Sequence, residues 1–389
     1  MKLERRRGIN VEKPIRVLQL TIGGKDFTGV CNFLYTYYKA ICHNEVIFDF
    51  VFCRQNSMNL VRQDSVFDNS SFYEFNAVNR KNGINYWEFA RQLNLLLKKN
   101  TYDVLHINTY RCGITLVAIF IAKKNRVKTI ISHSHNDNRI IDRGKKRIFL
   151  KKVSSAIIRR TSNYLFACSK EAGKTLFGEK GINQKNFFIV KNAIDTKQFV
   201  YNRELRDKLR TAQNVDNDCY IVGQVGRLSP IKNQIFTLKV FKEIAIQYPN
   251  SVLWLIGTGE DFDKLKNEIC KLEIQDKVHF LGARQDVANL MQAMDALIFP
   301  SKWEGLGIVA IESQAAGLKT YASASVPRET KITDLISYIP LSEGPHKWAS
   351  IMLQDLNKYK RKNKQQEVTD SGYDIEEAAK WLEKIYSYG

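Results

Sequence analysis

Short apolar segments rich in β-branched residues alternate with longer segments of helical periodicity, and this alternation is typical of a parallel α/β sheet. The series occurs twice along the chain. In the first half, the predicted strands are 15–22, 46–53, 103–108, 128–135, 164–169 and 187–191. In the second half, they are 219–226, 252–257, 277–282, 296–301, 319–323 and 337–340. Because 389 residues exceed the usual size of one core, the repeat predicts two domains.

The domain boundary is expected between the two series, in residues 192–218, which end in the polar stretch 211–218. We therefore predict an N-terminal domain over 1–200 and a C-terminal domain over 201–373. A second polar stretch precedes the amphipathic C-terminal segment 374–389. It is long enough for that segment to return to the first domain. Because ligands of open parallel sheets bind beyond the carboxyl ends of the strands, two facing sheets would hold two different substrates in a cleft.

The composition excludes several classes of protein. Hydrophobic residues make up 44% and charged residues 26%, which excludes wholesale disorder and fibrous structure. The longest nearly uncharged apolar stretch, 113–122, is half of what spans a bilayer, so no transmembrane helix is expected. The basic start, 1–7, leads into no uninterrupted apolar run, so no signal peptide is expected. The seven cysteines are widely spaced and form no CxxC, which predicts reduced thiols inside a cell and neither a disulfide nor a structural zinc site.

The excess of positive charge lies in the first half. Residues 1–200 contain 35 basic and 15 acidic side chains, whereas residues 201–389 contain 25 of each. The densest cluster of cations consists of Arg139, Arg143, Lys145, Lys146, Arg147, Lys151, Lys152, Arg159 and Arg160. On a helix, Phe149, Leu150, Val153 and Ile157 would share an arc of ~100°.

Such a basic, amphipathic helix is typical of a protein that lies on an anionic membrane surface. The alternative is an ordinary surface helix whose apolar stripe packs into the core. The charge asymmetry favours the membrane. Nucleic acid would also suit a basic face, but it ranks lower because no zinc finger, RNP-like segment or helix-turn-helix accompanies it.

Two cations follow the first strand of the C-terminal domain. The segment GRLSPIKN starts with Gly226, places Arg227 and Lys232 five residues apart, and precedes a predicted helix. A glycine allows close backbone approach, and the helix N-terminus adds partial positive charge. This pattern indicates an anion site. Taken alone, it would equally describe a surface turn with two unrelated cations.

Two glutamates follow a later strand of the same domain. Glu304 and Glu312 are eight residues apart, which in a helix would be ~12 Å along the axis, too far for one acid/base pair across a glycosidic bond. They therefore have separate roles. A site with one carboxylate at each end of an extended ligand, and glycine N–H groups between them, suits a nucleotide sugar. The alternatives are a solvated helix glutamate at 312 and a residue interacting with the helix dipole at 304.

In this order, the segments GRLSPIKN, LIGTGE, VHFLGARQDV and MDALIFPSKWEGLGIVAIESQAAG resemble the C-terminal half of the family-four retaining glycosyltransferases of the GT-B fold. Upstream, IISHSHN, FACSKEAGK and NAIDTKQF resemble the bacterial exopolysaccharide and capsular members. The resemblance covers most of the chain. It implies two Rossmann-like domains, an N-terminal one that binds the acceptor and a C-terminal one that binds the nucleotide-sugar donor.

The resemblance also implies roles for individual residues. Arg227 and Lys232 would stabilise the donor diphosphate as leaving group, and Glu304 would hold hydroxyls of the donor sugar. Glu312 would bind the ribose. The backbone of Gly305, Leu306 and Gly307 would contact the sugar or phosphate, and the base would lie near Gly257, Gly282 and Arg284. Fixed cations can stabilise a leaving group without a metal, so neither a metal nor a cofactor is expected.

Histidines mark the end of one strand of the first domain. Strand alternation directs His133 and His135 to the same face. The resemblance favours His135 as the residue that contacts donor sugar and acceptor, with His133 as second choice. A structural histidine is the alternative. His106 also ends a strand, where a structural role is as plausible.

The first strand leads into a glycine-bearing loop that contains Gly23, Gly24 and Gly29, which we expect near the acceptor. A dinucleotide site is weakly supported here, because GxGxxG is absent and no acidic residue ends the second strand. The chain departs from the family at this loop. Thr28 stands where a second glycine is common, and Cys31 where a glutamate is common. Outside the loop, Lys191 and Lys319 replace common prolines.

Together, these observations predict a retaining, metal-independent glycosyltransferase that uses a nucleotide sugar, with UDP as the expected nucleotide. Its acceptor would be a saccharide linked to a polyprenyl diphosphate lipid, as in exopolysaccharide or capsule synthesis. The basic first half predicts a cytoplasmic protein attached peripherally to the inner face of the cell membrane. One alternative is a nucleotide-sugar isomerase or epimerase on the same frame. Another is a non-catalytic protein that binds membrane or nucleic acid.

Overall fold

The computed structural model describes residues 13–22, 29–53, 65–79, 83–135, 145–356 and 358–388. Two of the predicted loop glycines, Gly23 and Gly24, lie outside these residues. The third, Gly29, is the first residue of a helix. The side chains of Lys145, Lys146 and Arg147 also lie outside the described part. By its internal contacts the chain divides into two units, one of Met1–Ala193 with Ile375–Gly389, the other of Ile194–Asp374.

The first unit contains a seven-stranded sheet in the order β3-β2-β1-β6-β7-β8-β9, with every neighbouring pair parallel. Its strands are β1 (Ile15–Thr21), β2 (Val46–Phe52), β3 (Phe72–Glu74), β6 (Val104–Asn108), β7 (Thr129–Ser134), β8 (Tyr164–Ala167) and β9 (Phe187–Ile189). A separate two-residue hairpin consists of β4 (Val78–Asn79) and β5 (Gly83–Ile84). The edge strand β3 and this hairpin are too short to show a period in the sequence.

Helices cover both faces of this sheet. They are α1 (Gly29–Ala40), α2 (Tyr86–Lys99), α3 (Cys112–Lys124), α4 (Lys145–Thr161), α5 (Lys170–Phe177), α6 (Glu179–Ile182) and the C-terminal α14 (Ile375–Ser387). Residues of α1 and α14 pack in one apolar cluster, and those of α2, α3 and α5 pack in another. Because both faces are covered, the central strand β1 is buried along most of its length, as its apolar sequence predicts.

The second unit contains a six-stranded parallel sheet in the order β12-β11-β10-β13-β14-β15. Its strands are β10 (Tyr220–Val225), β11 (Ser251–Ile256), β12 (Val278–Gly282), β13 (Ala296–Phe299), β14 (Lys319–Ser323) and β15 (Ile336–Ile339). Its helices are α7 (Arg203–Ala212), α8 (Gln234–Gln247), α9 (Phe262–Lys271), α10 (Val287–Ala293), α11 (Ile308–Ala315), α12 (Gly344–Leu356) and α13 (Gln365–Val368). The predicted class, two parallel α/β sheets, is confirmed.

The division between the units falls after Ala193, earlier than the predicted boundary after residue 200. The reason is packing. Ile194 and Phe199 are buried in the apolar cluster of the second unit, whereas Ala193 belongs to a cluster of the first. Helix α14 carries Ile375, Ala379, Leu382 and Tyr386 into that same cluster of the first unit. The C-terminal segment therefore lies on the first unit.

Helix α4 turns most of its predicted apolar arc towards solvent. Phe149 is 66% exposed, Leu150 54% and Val153 40%, while Ile157 is partly buried. Among its described side chains, from residue 148 on, the buried ones are Ser155 and Ile158. The alternative in which the whole arc packs into the core is therefore wrong, because a different face of the helix meets the sheet. Among the described residues, no helix has the length and apolar character needed to cross a membrane.

Candidate active site

The loops after β10 and β11 meet backbone against backbone. Gly226 has φ +147° and Gly257 has φ +135°, conformations that disfavour a side chain. A Cβ on Gly257 would lie 2.1 Å from the carbonyl oxygen of Gly226. The N–H of Gly257 in turn donates to the carbonyl of Gly282, at 2.8 Å. The structure therefore brings these three predicted glycines together at the carboxyl ends of neighbouring strands.

Lys232 and Glu304 form a close ion pair in the second unit. The Lys232 Nζ lies 2.6 Å from Oε1 of Glu304 although 72 residues separate them. Two hydrogen bonds join their loops. Lys302 N–H donates to the carbonyl of Ile231, and the Asn233 side-chain amide donates to the carbonyl of Pro300. The predicted cation and the predicted sugar-binding carboxylate thus converge because β10 and β13 are adjacent in the sheet.

The second predicted cation, Arg227, has a partner that the sequence reading missed. Its Nε donates to Glu260 Oε2 at 3.0 Å, and both side chains are more than half exposed. The backbone N–H of Glu260 and the Arg227 guanidinium lower the pKa of that carboxyl. Glu260 directly follows the Gly257-Thr258-Gly259 turn after β11. This position was the sequence feature that could have indicated Glu260 as a residue of the site. Arg284 is likewise paired, through two hydrogen bonds of 2.7 Å to Asp286.

Gly305, Leu306 and Gly307 lead from Glu304 into α11. Gly307 caps that helix in a left-handed conformation, φ +86°, and a Cβ there would lie 3.0 Å from the Phe299 ring. The helix begins only at Ile308, so half of the interval between the two glutamates is a loop. The separation of ~12 Å that a continuous helix would impose therefore does not apply.

Glu312, on α11, is a partly buried carboxyl. Burial raises its pKa to about 7. Among the residues that the structure describes, we find no hydrogen bond or ion pair that compensates its charge. A carboxyl with this pKa and no compensating group is a candidate ligand-binding residue, because structural carboxylates are usually paired.

In the first unit, three histidines lie near the carboxyl ends of β6 and β7. As strand alternation predicts, His133 and His135 share a face, and their ring centroids are 3.8 Å apart. The structure distinguishes them by depth, because His133 and His106 are fully buried whereas His135 is partly exposed. His106 Nε2 lies 3.1 Å from His133 Nδ1. His133, the second choice for substrate contact, therefore packs beneath His135 in a supporting position.

Three further polar residues complete this group, and the sequence reading did not identify them. His135 Nε2 lies 2.8 Å from Asn108 Oδ1, and the Asn108 amide donates to Gln19 Oε1 at 2.9 Å. The Gln19 amide donates to the Tyr386 hydroxyl at 3.1 Å, which lies 2.8 Å from His106 Nδ1. Gln19 and Asn108 could have been identified from the sequence, because each is a polar residue within an apolar strand, β1 or β6.

All three imidazoles are neutral near pH 7. Burial lowers the pKa of His135 to about 3. Burial, together with the neighbouring histidines, holds the pKa values of His106 and His133 well below their usual range. Each ring therefore carries a single N–H, and each hydrogen bond determines which nitrogen holds it.

A cavity of about 520 Å³ lies elsewhere in the second unit, beside the first residues of β10 and β14, Tyr220 and Lys319. Its partly buried cation Arg361 donates to the carbonyls of Ala316, Gln292, Met294 and Met291, and Lys319 lies 3.6 Å from Asp355. These groups are engaged in holding the fold. Within the described ranges, no group of three His, Cys, Asp or Glu side chains is placed to hold a metal ion.

Two family models match the chain. The model for glycosyltransferase family 4 matches residues 50–198, which include all three clustered histidines. The model for glycosyl transferases group 1 matches residues 206–332, which include Arg227, Lys232, Glu304 and Glu312. Both groups of candidate residues therefore lie inside matched regions.

Related sequences extend over most of the chain. EpsF of Bacillus subtilis (strain 168), whose name assigns it to the glycosyltransferases, is 26% identical over 380 residues, 96% of each chain. An Escherichia coli protein named UDP-Gal:alpha-D-GlcNAc-diphosphoundecaprenol alpha-1,3-galactosyltransferase is 24% identical over 234 residues, 59% of each chain.

Solved structures share the fold over nearly the whole chain. Anabaena Alr3699/HepE in complex with UDP and glucose has a TM-score of 0.72 and 16% identity, covering 96% of this chain and 100% of that one. A glycosyltransferase from Rickettsia africae ESF-5 has a TM-score of 0.75 and 15% identity, covering 97% and 99%. At these identities, the similarity establishes a common architecture.

Proposed function

The chain belongs to the family-four glycosyltransferases of the GT-B fold, and we propose that it is a retaining, metal-independent hexosyltransferase that uses a UDP-sugar. Its acceptor is a lipid-linked saccharide of bacterial exopolysaccharide or capsule synthesis. The observation that carries the proposal is the convergence of Lys232 with Glu304 at the carboxyl ends of β10 and β13. In this proposal Lys232 binds the phosphate, and the adjacent Glu304 binds sugar hydroxyls.

In this proposal Arg227 and Lys232 bind the donor diphosphate. Negative charge grows on the phosphate as the bond to the sugar breaks, so fixed cations lower the barrier. In the structure each cation already has a carboxylate partner, Glu260 for Arg227 and Glu304 for Lys232. The pairs hold the cations in position before the donor arrives, and bound diphosphate shares Lys232 with Glu304, whose second oxygen accepts sugar hydroxyls.

Glu312 binds the ribose of the donor, and Gly257, Gly282 and Arg284 lie near the base. A carboxylate accepts hydrogen bonds from two vicinal hydroxyls, and these would compensate the charge of the partly buried Glu312. UDP is proposed because the similar HepE was solved with UDP and because the related Escherichia coli enzyme is named for UDP-Gal.

The anomeric configuration is retained because the acceptor attacks the same face of the sugar from which the leaving group departs. The bond between the anomeric carbon and the phosphate oxygen breaks, and the acceptor oxygen bonds to that carbon from the same side. The acceptor proton passes to the departing phosphate oxygen, so UDP and the glycoside are the products. This step rests on the resemblance to retaining enzymes, and His135 contacts a sugar hydroxyl in the same scheme.

The acceptor is proposed to lie in a membrane. Helix α4 exposes Phe149 and Leu150 next to Lys152, and cations near an anionic leaflet contribute about 1 kcal/mol each. The Escherichia coli relative is named for a diphosphoundecaprenol acceptor, which is an anionic lipid. We therefore propose peripheral attachment at the inner face of the cell membrane, with α4 in contact with the leaflet.

Two other functions make different predictions. A nucleotide-sugar isomerase or epimerase would form product from the donor alone. A non-catalytic protein that binds membrane or nucleic acid would tolerate loss of Lys232. The ordered pairing of two cations with two carboxylates favours an enzyme that binds a nucleotide sugar over the non-catalytic protein. The requirement for an acceptor distinguishes the transferase from the isomerase.

The deciding experiment incubates the protein with a panel of UDP-, GDP- and ADP-sugars labelled in the sugar, together with a bacterial membrane extract. We expect label from one UDP-sugar to appear in the lipid fraction. Lys232→Ala should abolish the signal, and Lys302→Ala, an exposed lysine of the neighbouring loop, serves as the matched control. Product formed without extract would indicate the isomerase, and no product from any donor would reject the transferase.

A further inference from the structure

The side chain of Asn108 has one favourable orientation in the histidine cluster. Its Nδ2 has two acceptors, Gln19 Oε1 at 2.9 Å and the backbone carbonyl of His106 at 3.3 Å. Rotating the amide by half a turn would place Oδ1 against that carbonyl, so two acceptors would face each other in a buried site. Asn108 is only 2% exposed, so water offers little relief. The His106 carbonyl therefore determines which way the amide points.

This orientation determines the tautomer of His135. Because Asn108 Oδ1 can only accept, the 2.8 Å contact requires a proton on His135 Nε2. A neutral imidazole has one N–H, so its Nδ1 is left as a hydrogen-bond acceptor. His135 is the only partly exposed member of the three-histidine cluster.

The orientation of Asn108 also affects the hydrogen bonds that run through Gln19 and Tyr386 to His106. Since Gln19 Oε1 accepts from Asn108, the Gln19 amide donates to the Tyr386 oxygen, and the Tyr386 proton goes to His106 Nδ1. His106 then donates from Nε2 to His133 Nδ1. His133 carries its own proton on Nε2, a buried atom with no partner within the described part of the chain. The His106 carbonyl therefore determines the orientation of both amides and the tautomer of His135. For Tyr386, His106 and His133, the arrangement described is the one that gives the Tyr386 hydroxyl an acceptor.

We propose that Asn108 is a positioning residue that makes Nδ1 of His135 a hydrogen-bond acceptor for a hydroxyl of the transferred sugar. Tyr386, on the C-terminal helix, supports Asn108 by holding Gln19 in the matching orientation. The inference rests on the proposed glycosyltransferase function for its substrate. The part of the inference that concerns the tautomer of His135 does not depend on that function.

The tautomer is measured first, by nitrogen NMR on full-length protein with ¹⁵N-labelled histidine at pH 7. His135→Gln assigns the signal by its disappearance. We expect the His135 ring to show a protonated Nε2 and an unprotonated Nδ1, and Asn108→Leu to remove this preference. A protonated Nδ1 in the wild type would overturn the inference, whether or not the protein transfers any sugar.

Turnover then tests whether Asn108 acts through His135. With UDP-glucose and UDP-galactose as donors and a membrane extract as acceptor, Asn108→Leu should lower kcat roughly 10- to 100-fold, as misorientation of one contacting group can. In a His135→Ala background, the same substitution should have an effect of less than about 2-fold. Tyr386→Phe should lower kcat less than Asn108→Leu does.

An equal loss in both backgrounds would show that Asn108 acts independently of His135 and would reject the inference. Thermal unfolding of each variant accompanies the assays, so that a loss caused by unfolding is recognised. Ser134→Ala, which removes another buried hydrogen bond of β7, to the Ala172 carbonyl, is the matched control for a purely structural effect. It should leave the His135 tautomer unchanged. If neither UDP-sugar is transferred, neither is the donor, and the NMR result alone decides the inference.

Discussion

Lys232 and Glu304 lie in contact across two adjacent strand ends, with Nζ 2.6 Å from Oε1 and Glu304 almost fully buried. The pair links the phosphate-binding and sugar-binding halves of the proposed donor site. A lysine held in this way is oriented before the substrate binds, which is the condition for electrostatic stabilisation of a leaving group.

Lys232→Ala and Glu304→Ala are each expected to reduce sugar transfer by roughly 100-fold or more, because each removes one preorganised group from the donor site. Initial rates at saturating donor provide the measurement. Lys302→Ala should retain near-normal rates, since its side chain is exposed and has no proposed contact with the donor, and its backbone hydrogen bond to Ile231 remains. Near-normal turnover of the Lys232 variant would be incompatible with its role at the diphosphate.

Glu312→Gln is expected to change the pH dependence of stability. The folded-state pKa of about 7 lies above the usual value of 4.5, so stability associated with Glu312 is present below pH 4.5 and is lost as pH rises through 7. The loss is at most about 3 to 4 kcal/mol, since one pKa unit corresponds to about 1.4 kcal/mol. Thermal unfolding should therefore show Glu312→Gln stabilised at pH 8 and unchanged at pH 4.5. Equal shifts at both pH values would exclude a buried carboxylate as the cause.

UDP binding should strengthen as pH rises, whereas the stability associated with Glu312 decreases. The ionised form of Glu312 is the better acceptor for ribose hydroxyls, so the wild type should bind UDP more tightly at pH 8 than at pH 6. Titration calorimetry at both pH values measures the difference. Glu312→Gln should bind more weakly, with little dependence on pH. A variant that binds like the wild type would show that Glu312 does not contact the nucleotide.

Phe149→Ser combined with Leu150→Ser is expected to weaken binding to vesicles of anionic phospholipid several-fold, because both apolar side chains are exposed on α4. Neutralising Lys145, Lys146, Lys151 and Lys152 should weaken it further and reduce its sensitivity to salt. Vesicle flotation provides the measurement. Ile246→Ser, at an exposed apolar position of the second unit, is the matched control. Unchanged flotation of the α4 variants would remove α4 from the membrane proposal.

Chelation by EDTA is expected to leave the transfer rate within about 2-fold of the untreated rate, because Arg227 and Lys232 would supply the positive charge that a metal supplies elsewhere. Rates before and after dialysis against EDTA, with Mg²⁺ and Mn²⁺ added back, provide the test. Activity that disappears and returns with either ion would contradict metal independence.

Much of the fold was predictable from local patterns. The apolar segments predicted all twelve strands that have a clear period, because burial on both faces of a parallel sheet selects continuous apolar runs. The same patterns could not reveal β3, β4 and β5, which are two or three residues long. These patterns also predicted the domain boundary after residue 200, whereas the structure divides after Ala193. The difference arises because the burial of Ile194 and Phe199 in the second unit depends on their neighbours in space.

The sequence by itself determined which residue types follow each strand, and hence the proposed roles of Arg227, Lys232 and Glu304. Only the tertiary structure decided which cation meets which carboxylate and which histidine is partly exposed. It alone brought Gln19 to Tyr386, 367 residues away, and so ordered the protons around His135. The physical reason is that periodicity records whether a residue is buried, whereas hydrogen-bond partners depend on which strands and helices pack side by side.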